Sequence, residues 1–185
     1  MSNVVGLPAA ILDSLRSEVK AASWFAALGE PLTDGDRADA EAYASALDLG
    51  ALTVGRARDW PEAERILKPP EGSMAWWDRE EELRKTLLAQ AETRYPERVL
   101  WTALTELTTE TGEVVHGKAA TAAARMGKAA AASIHVAAGA ASQAVYQLAV
   151  ARLADTAAPL FESKFRLFAA GRWPLGVVGS TLFVF

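Results

Sequence analysis

A chain of 185 residues with 51% hydrophobic and 23% charged positions has enough apolar side chain for one folded domain with a core, and it is not of the disordered class. It has no cysteine and two histidines, His116 and His135, which excludes disulfides, thiolate metal sites, thiol nucleophiles and a three-histidine metal site within one chain. The net charge of −4 argues against a dedicated nucleic-acid binder, and its uneven spread, −7 over residues 1–93 and +3 over residues 94–185, lets the halves attract each other within a chain or between subunits.

The first residues, Met1 to Gly6, carry no charged region followed by an apolar one, so they do not read as a secretory signal. Together with the lack of cysteine this leads to the expectation of a cytoplasmic protein, and the Ala, Arg and Gly bias points to a bacterial chain. Pro8 opens a first helix with Leu12, Leu15 and Val19 on one face, ending between Ala22 and Leu28 before Gly29. Thr33 and Asp36 have capping-box spacing for a second helix that carries Ala40, Tyr43, Ala44 and Leu47 and ends near Gly50. Leu52 to Val54 is too short an apolar run to assign. Asp59, Pro61 and Glu62 start a short third helix that stops at Pro69-Pro70-Glu71-Gly72.

Ser73 caps a fourth helix with an apolar stripe of Trp76, Leu83 and Leu87, a polar side that includes Glu80, Glu81 and Glu82, and an end before Pro96. The fifth shows Leu100, Leu104, Leu107 and Thr111, with Gly112 or Gly117 separating it from an alanine-rich region. From Ala119 to Ala158 the chain reads as one long helix, or two with a break at Gly127. The uncharged stretch between Lys128 and Arg152 is long enough to span a membrane, but eleven of its residues are alanine and it holds His135, Gln143 and Gln147, so a buried helix is expected. Pro159 opens a last helix with Leu160, Phe161, Phe165 and Phe168. The tail from Gly171 reads as a hairpin around Gly179-Ser180.

Five constellations bear on chemistry. Glu113 and His116 form one Glu-x-x-His step, a metal-ligating pattern that di-iron bundles use twice and this chain holds once. Thr121 to Lys128 matches the start of a helix-turn-helix, but the following residues offer nothing to read a base edge. His135, Gly139, Ser142 and Tyr146 fall within about 60° of one another on a helix and form a polar line suited to a small ligand or a buried hydrogen-bond network. Trp76 and Trp77 beside a carboxylate cluster could frame a pocket, with Trp77 the ligand candidate, while the glutamates form a solvated face or a docking surface for Lys118, Arg125 and Lys128. Arg172 and Trp173 are residue types that anchor interfaces.

No nucleophile elbow, phosphate loop or dinucleotide fingerprint occurs. The expected fold is all-α, six or seven helices in a compact orthogonal or bundle-like array with a small C-terminal β-hairpin. It forms one domain over 1–185: acidic N-terminal helices and loops (1–72), core helices around the alanine-rich helix (73–170), and the hairpin tail (171–185). The expected function is a non-catalytic interaction or scaffold module, a homodimer with a protein partner and with no nucleic acid, membrane or cofactor. The alternatives are a small-ligand-binding or metal-assisted enzyme using the polar line, and a DNA-binding regulator.

Overall fold

The computed structural model describes residues 9–68 and 74–185. The helix start at Pro8, the Pro69–Gly72 connection and the Ser73 cap lie outside the described residues. Within them the chain forms seven helices and three short strands, a mostly helical fold with a small C-terminal β element.

Helix α1 (Ala9–Ala21) buries Leu12, Leu15 and Val19, the three- and four-residue spacing of one face. The turn after it carries Trp24 and Phe25 into the core. Phe25 has φ of 59°, a left-handed conformation that bulky residues rarely adopt. Its ring is held edge-on by Phe168 at 6.0 Å and Trp173 at 6.4 Å. Helix α2 (Asp34–Leu47) opens with the capping box closed in both directions: the Thr33 hydroxyl accepts from the Asp36 N–H, and the Asp36 carboxylate accepts from the Thr33 N–H. Asp59 caps helix α3 (Trp60–Ile66) by accepting from the Glu62 N–H. Helix α4 (Ala75–Arg94) ends at Tyr95, before Pro96.

Helices α5 (Glu97–Met126), α6 (Ala131–Leu153) and α7 (Pro159–Ala169) complete the helical body. Contrary to the sequence expectation, α5 runs unbroken through Gly112 and Gly117, and the break falls at Gly127, where φ is 69°. A glycine inside a helix costs only about 1 kcal/mol, and burial of Thr111, Val115 and Ala119 around those two positions outweighs it. α5 and α6 form an antiparallel hairpin in which Gly112 lies opposite Ser142 and His116 opposite His135. Ala119, Ala122 and Ala123 on one helix and Ala137, Ala141 and Ala144 on the other are buried, small enough for close approach. α6 has no capping side chain of its own; the Glu64 carboxylate of α3 accepts from the Ala130 N–H at 3.0 Å and the Ser133 hydroxyl at 2.6 Å.

Strands β2 (Pro174–Val178) and β3 (Thr181–Val184) pair antiparallel as the expected hairpin. The run too short to assign is β1 (Thr53–Arg56), which pairs parallel to β3 and extends the hairpin to a three-stranded sheet of order β1-β3-β2. A four-residue strand has no identity until a partner edge exists, which is why local pattern misses it. Trp173 and Phe185 exchange both backbone hydrogen bonds at 2.8 Å, tying the last residue to the body.

The charge split is met inside the chain. Glu18 pairs with Arg152 at 2.6 Å, Asp36 with Arg172 at 2.9 Å, Asp39 with Arg166 at 2.6 Å and Glu80 with Lys164 at 2.6 Å. Each joins an acid of the N-terminal half to a base of the C-terminal half, so the asymmetry needs no second subunit. No helix among the described residues is long and apolar enough to cross a membrane.

Candidate functional site

A cavity of about 410 Å³ lies between the start of α4, one face of α6, the inner side of α7 and strand β2. Its volume falls within the range of about 300–1,000 Å³ usual for small-molecule sites. Local sequence builds each wall. On α6 the lining residues Val136, Gly139, Ala140 and Gln143 share one face at helical spacing. Trp173 and Leu175 supply the sheet side. Trp76 reaches the cavity because Gly176 lets its ring approach: a Cβ at Gly176 would sit 2.7 Å from two indole carbons, and φ there is +125°. Met74, Trp77 and Val136 are three of the four exposed large hydrophobic residues among those described, and all three stand at this cavity. Its mouth is therefore apolar as well as its walls.

Lys164 is the single charged residue among the described lining residues. It belongs to a buried polar cluster drawn from four helices. The Lys164 ammonium donates to Glu80 Oε2 at 2.6 Å and to Gln147 Oε1 at 3.1 Å. Gln147 Nε2 donates to Glu80 Oε2 at 3.1 Å, and the Tyr43 hydroxyl donates to Glu80 Oε1 at 2.5 Å. Glu80 and Gln147 are 0% exposed and Lys164 is 4% exposed, so water does not compete for these bonds. Burial, then the adjoining Glu80 charge, pushes the Tyr43 hydroxyl well above the ordinary tyrosine range, so it stays a donor.

Tyr43→Phe should lower stability by about 1–3 kcal/mol near neutral pH, because Glu80 Oε1 is left buried without its donor. A raised phenol stabilises the fold below its unfolded pKa, and that contribution is lost as pH rises through the folded value. The difference between the two proteins should thus narrow above about pH 10. Urea titrations at neutral and alkaline pH check this; a variant as stable as the parent at neutral pH contradicts the assigned bond.

The structure does not bring the sequence candidates together at one site. Trp77 stands at the cavity mouth, 38% exposed, with Trp76 edge-on at 5.8 Å. The polar line does not enter the cavity except through Gly139, since the lining face of α6 is roughly a quarter turn away. His135 is exposed and lies against His116 at 5.0 Å between ring centroids, Ser142 is half-buried opposite Gly112, and Tyr146 lies under the Arg84 guanidinium at 6.0 Å. Glu113 and His116 are both exposed on α5, and no three His, Asp or Glu side chains among the described residues gather as a metal set.

Arg172 and Trp173 are not at the surface: they are 2% and 1% exposed, and their bulk goes into the core. Trp173 packs on Phe25 and Trp60 and lines the cavity. The Arg172 guanidinium is enclosed by the turn before α2. It donates to the Ala27, Glu30 and Pro31 carbonyls and, through Nε and Nη2, to Asp36 Oδ2 at 3.1 and 2.9 Å.

The expected glutamate face is also divided differently. Glu80 is core, Glu81 pairs with Arg84 at 2.8 Å, and Arg125 turns away to donate to the Ala26 and Leu28 carbonyls. A second hollow of about 430 Å³ between α1 and α5 is more open, and its Arg16 is already held by Glu110 and Asp13.

Sequence reasoning missed Lys164 and misplaced Glu80, although a signal existed for both. Lys164 sits three residues after Phe161 and four before Phe168, and Glu80 four after Trp76 and three before Leu83. Both are charges on an apolar stripe. Comparison of the chain with protein-family models, with curated proteins and with solved structures found no match.

Proposed function

We propose that this protein binds a small, largely apolar molecule in the cavity between α4, α6, α7 and β2, without a catalytic step. One observation carries the reading: an apolar chamber of about 410 Å³, walled by Trp76, Trp77 and Trp173, holds one buried ammonium on its lining. A core packed only for stability has no reason to leave such a space open to solvent beside a charge. The cysteine-free composition supports a cytoplasmic setting.

Gly139 gives a clean test. It lines the cavity, and a Cβ there would meet nothing within 4 Å. Gly139→Phe puts a ring at the chamber while improving helix propensity, by about 0.5 kcal/mol. A neutral environment-sensitive dye such as N-phenylnaphthylamine should bind the parent and brighten. The variant should bind at least about tenfold more weakly with its melting temperature unchanged or raised. No binding by the parent, or equal binding by a folded variant, defeats the reading.

The exposed rim of Met74, Trp77 and Val136 favours a second reading, in which this face associates with another copy of the chain as a homodimer or with a protein partner. Sedimentation velocity on the same two samples separates them. A dimer that dissociates in the variant supports the second reading, and a monomeric parent removes the homodimer.

A further inference from the structure

The charge balance at the cavity lining narrows the occupant, on the premise that the cavity is a ligand site as proposed above. Lys164 brings one positive charge, and the Glu80 carboxylate cancels it at 2.6 Å. The other two members, Tyr43 and Gln147, meet this pair as neutral hydrogen-bonding groups. The cluster is therefore neutral as a whole. A lysine ammonium has three N–H donors. Glu80 and Gln147 take two of them, and no described residue accepts the third, although Lys164 lines the cavity.

An anionic ligand gains little here. Its charge would face Lys164 but also the Glu80 carboxylate 2.6 Å from that ammonium, and no other cation stands among the described lining residues. The loss of its hydration would then go largely uncompensated. A neutral acceptor such as a carbonyl oxygen takes the remaining donor without adding charge, and loses less hydration on transfer. The tryptophan pair at the mouth, 5.8 Å apart and edge to face, presents aromatic surface to a flat apolar body. We infer that the cavity selects a neutral aromatic or alicyclic molecule bearing one carbonyl-type acceptor, which Lys164 engages, and that it discriminates against the corresponding carboxylate.

Three probes of one shape test this on the full chain near neutral pH: 2-acetylnaphthalene, its apolar isostere 2-isopropenylnaphthalene, and its anionic isostere 2-naphthoate. Binding is read by calorimetry and by quenching of tryptophan emission. The ketone should bind about tenfold more tightly than the apolar isostere, the worth of one hydrogen bond to a charged donor. It should also bind at least about tenfold more tightly than the carboxylate. Equal binding of all three overturns the role of Lys164 while leaving the cavity a ligand site, and a carboxylate that equals or beats the ketone overturns the charge argument with the cavity reading again intact. If none of the three binds, the cavity reading falls and the inference with it.

Discussion

Arg172→Ala is expected to cost about 3–5 kcal/mol of folding stability, a large part of the 5–15 kcal/mol that holds a typical domain folded. All five N–H donors of the guanidinium are engaged, by the carbonyls of Ala27, Glu30 and Pro31 and twice by Asp36 Oδ2. Removing it strands a buried carboxylate and three carbonyls at once, and the Thr33–Asp36 capping box shares that carboxylate. Arg172→Lys should recover little, because an ammonium has three donors and no planar fork to span a turn and a carboxylate together. Burial works to raise the Asp36 pKa, but the Thr33 N–H and hydroxyl and then Arg172 outweigh it, so the group is held below the usual carboxylate range. A depressed carboxylate stabilises the fold above its unfolded pKa, and that contribution is lost as pH falls through the lower folded value. The deficit of Arg172→Ala should accordingly shrink in acid. Guanidinium titrations at neutral and acid pH decide it. A variant within about 0.5 kcal/mol of the parent would show that this turn does not depend on the buried ion pair.

This cluster shows what local pattern can and cannot reveal. Arg172 and Trp173, at the start of the expected hairpin tail, were legible as residue types that anchor interfaces. The same chemistry serves a chain folding against itself, and only the arrival of residues 27–36 from far away in sequence decides between the two. Caps and breaks that act within four residues, such as Thr33 with Asp36 and Asp59 with Glu62, were readable because the partner is in the same window. So were the apolar stripes of α1 and α7, where period and burial agree. The site was half legible. The two adjacent tryptophans suggested a pocket and Trp77 stands at one, but Lys164 lies 84 positions from Glu80, and Tyr43 and Gln147 come from two further helices. His135, Gly139, Ser142 and Tyr146 all lie on α6, yet which face of α6 meets a cavity is set by α4, α7 and the tail. Two histidines nineteen positions apart meet only because α5 and α6 fold back antiparallel.

The second large effect concerns the buried pair beneath the cavity. Lys164→Met keeps the length and apolar stem of the side chain but leaves the Glu80 carboxylate in a dry site without its counter-charge. Glu80→Gln does the converse to the ammonium. Each should lower stability by about 3–5 kcal/mol, since breaking a buried pair from one side strands the other charge. The double variant removes both charges together. Its introduced amide can still accept from the Tyr43 hydroxyl and can donate to Gln147 Oε1, so two hydrogen bonds stand where the parent cluster has four. Its loss should fall short of the sum of the singles by at least about 2 kcal/mol, a coupling typical of residues in one network. Simple additivity in urea titrations of the four proteins would mean that the two charges do not stabilise each other, and the cluster would have to be read as separate groups. Lys164 is the one described lining residue changed in the double variant, so the ketone should lose its advantage over the apolar isostere. A cluster kept only for stability predicts no change in that preference. The binding data and the folding data therefore answer different questions about the same four side chains.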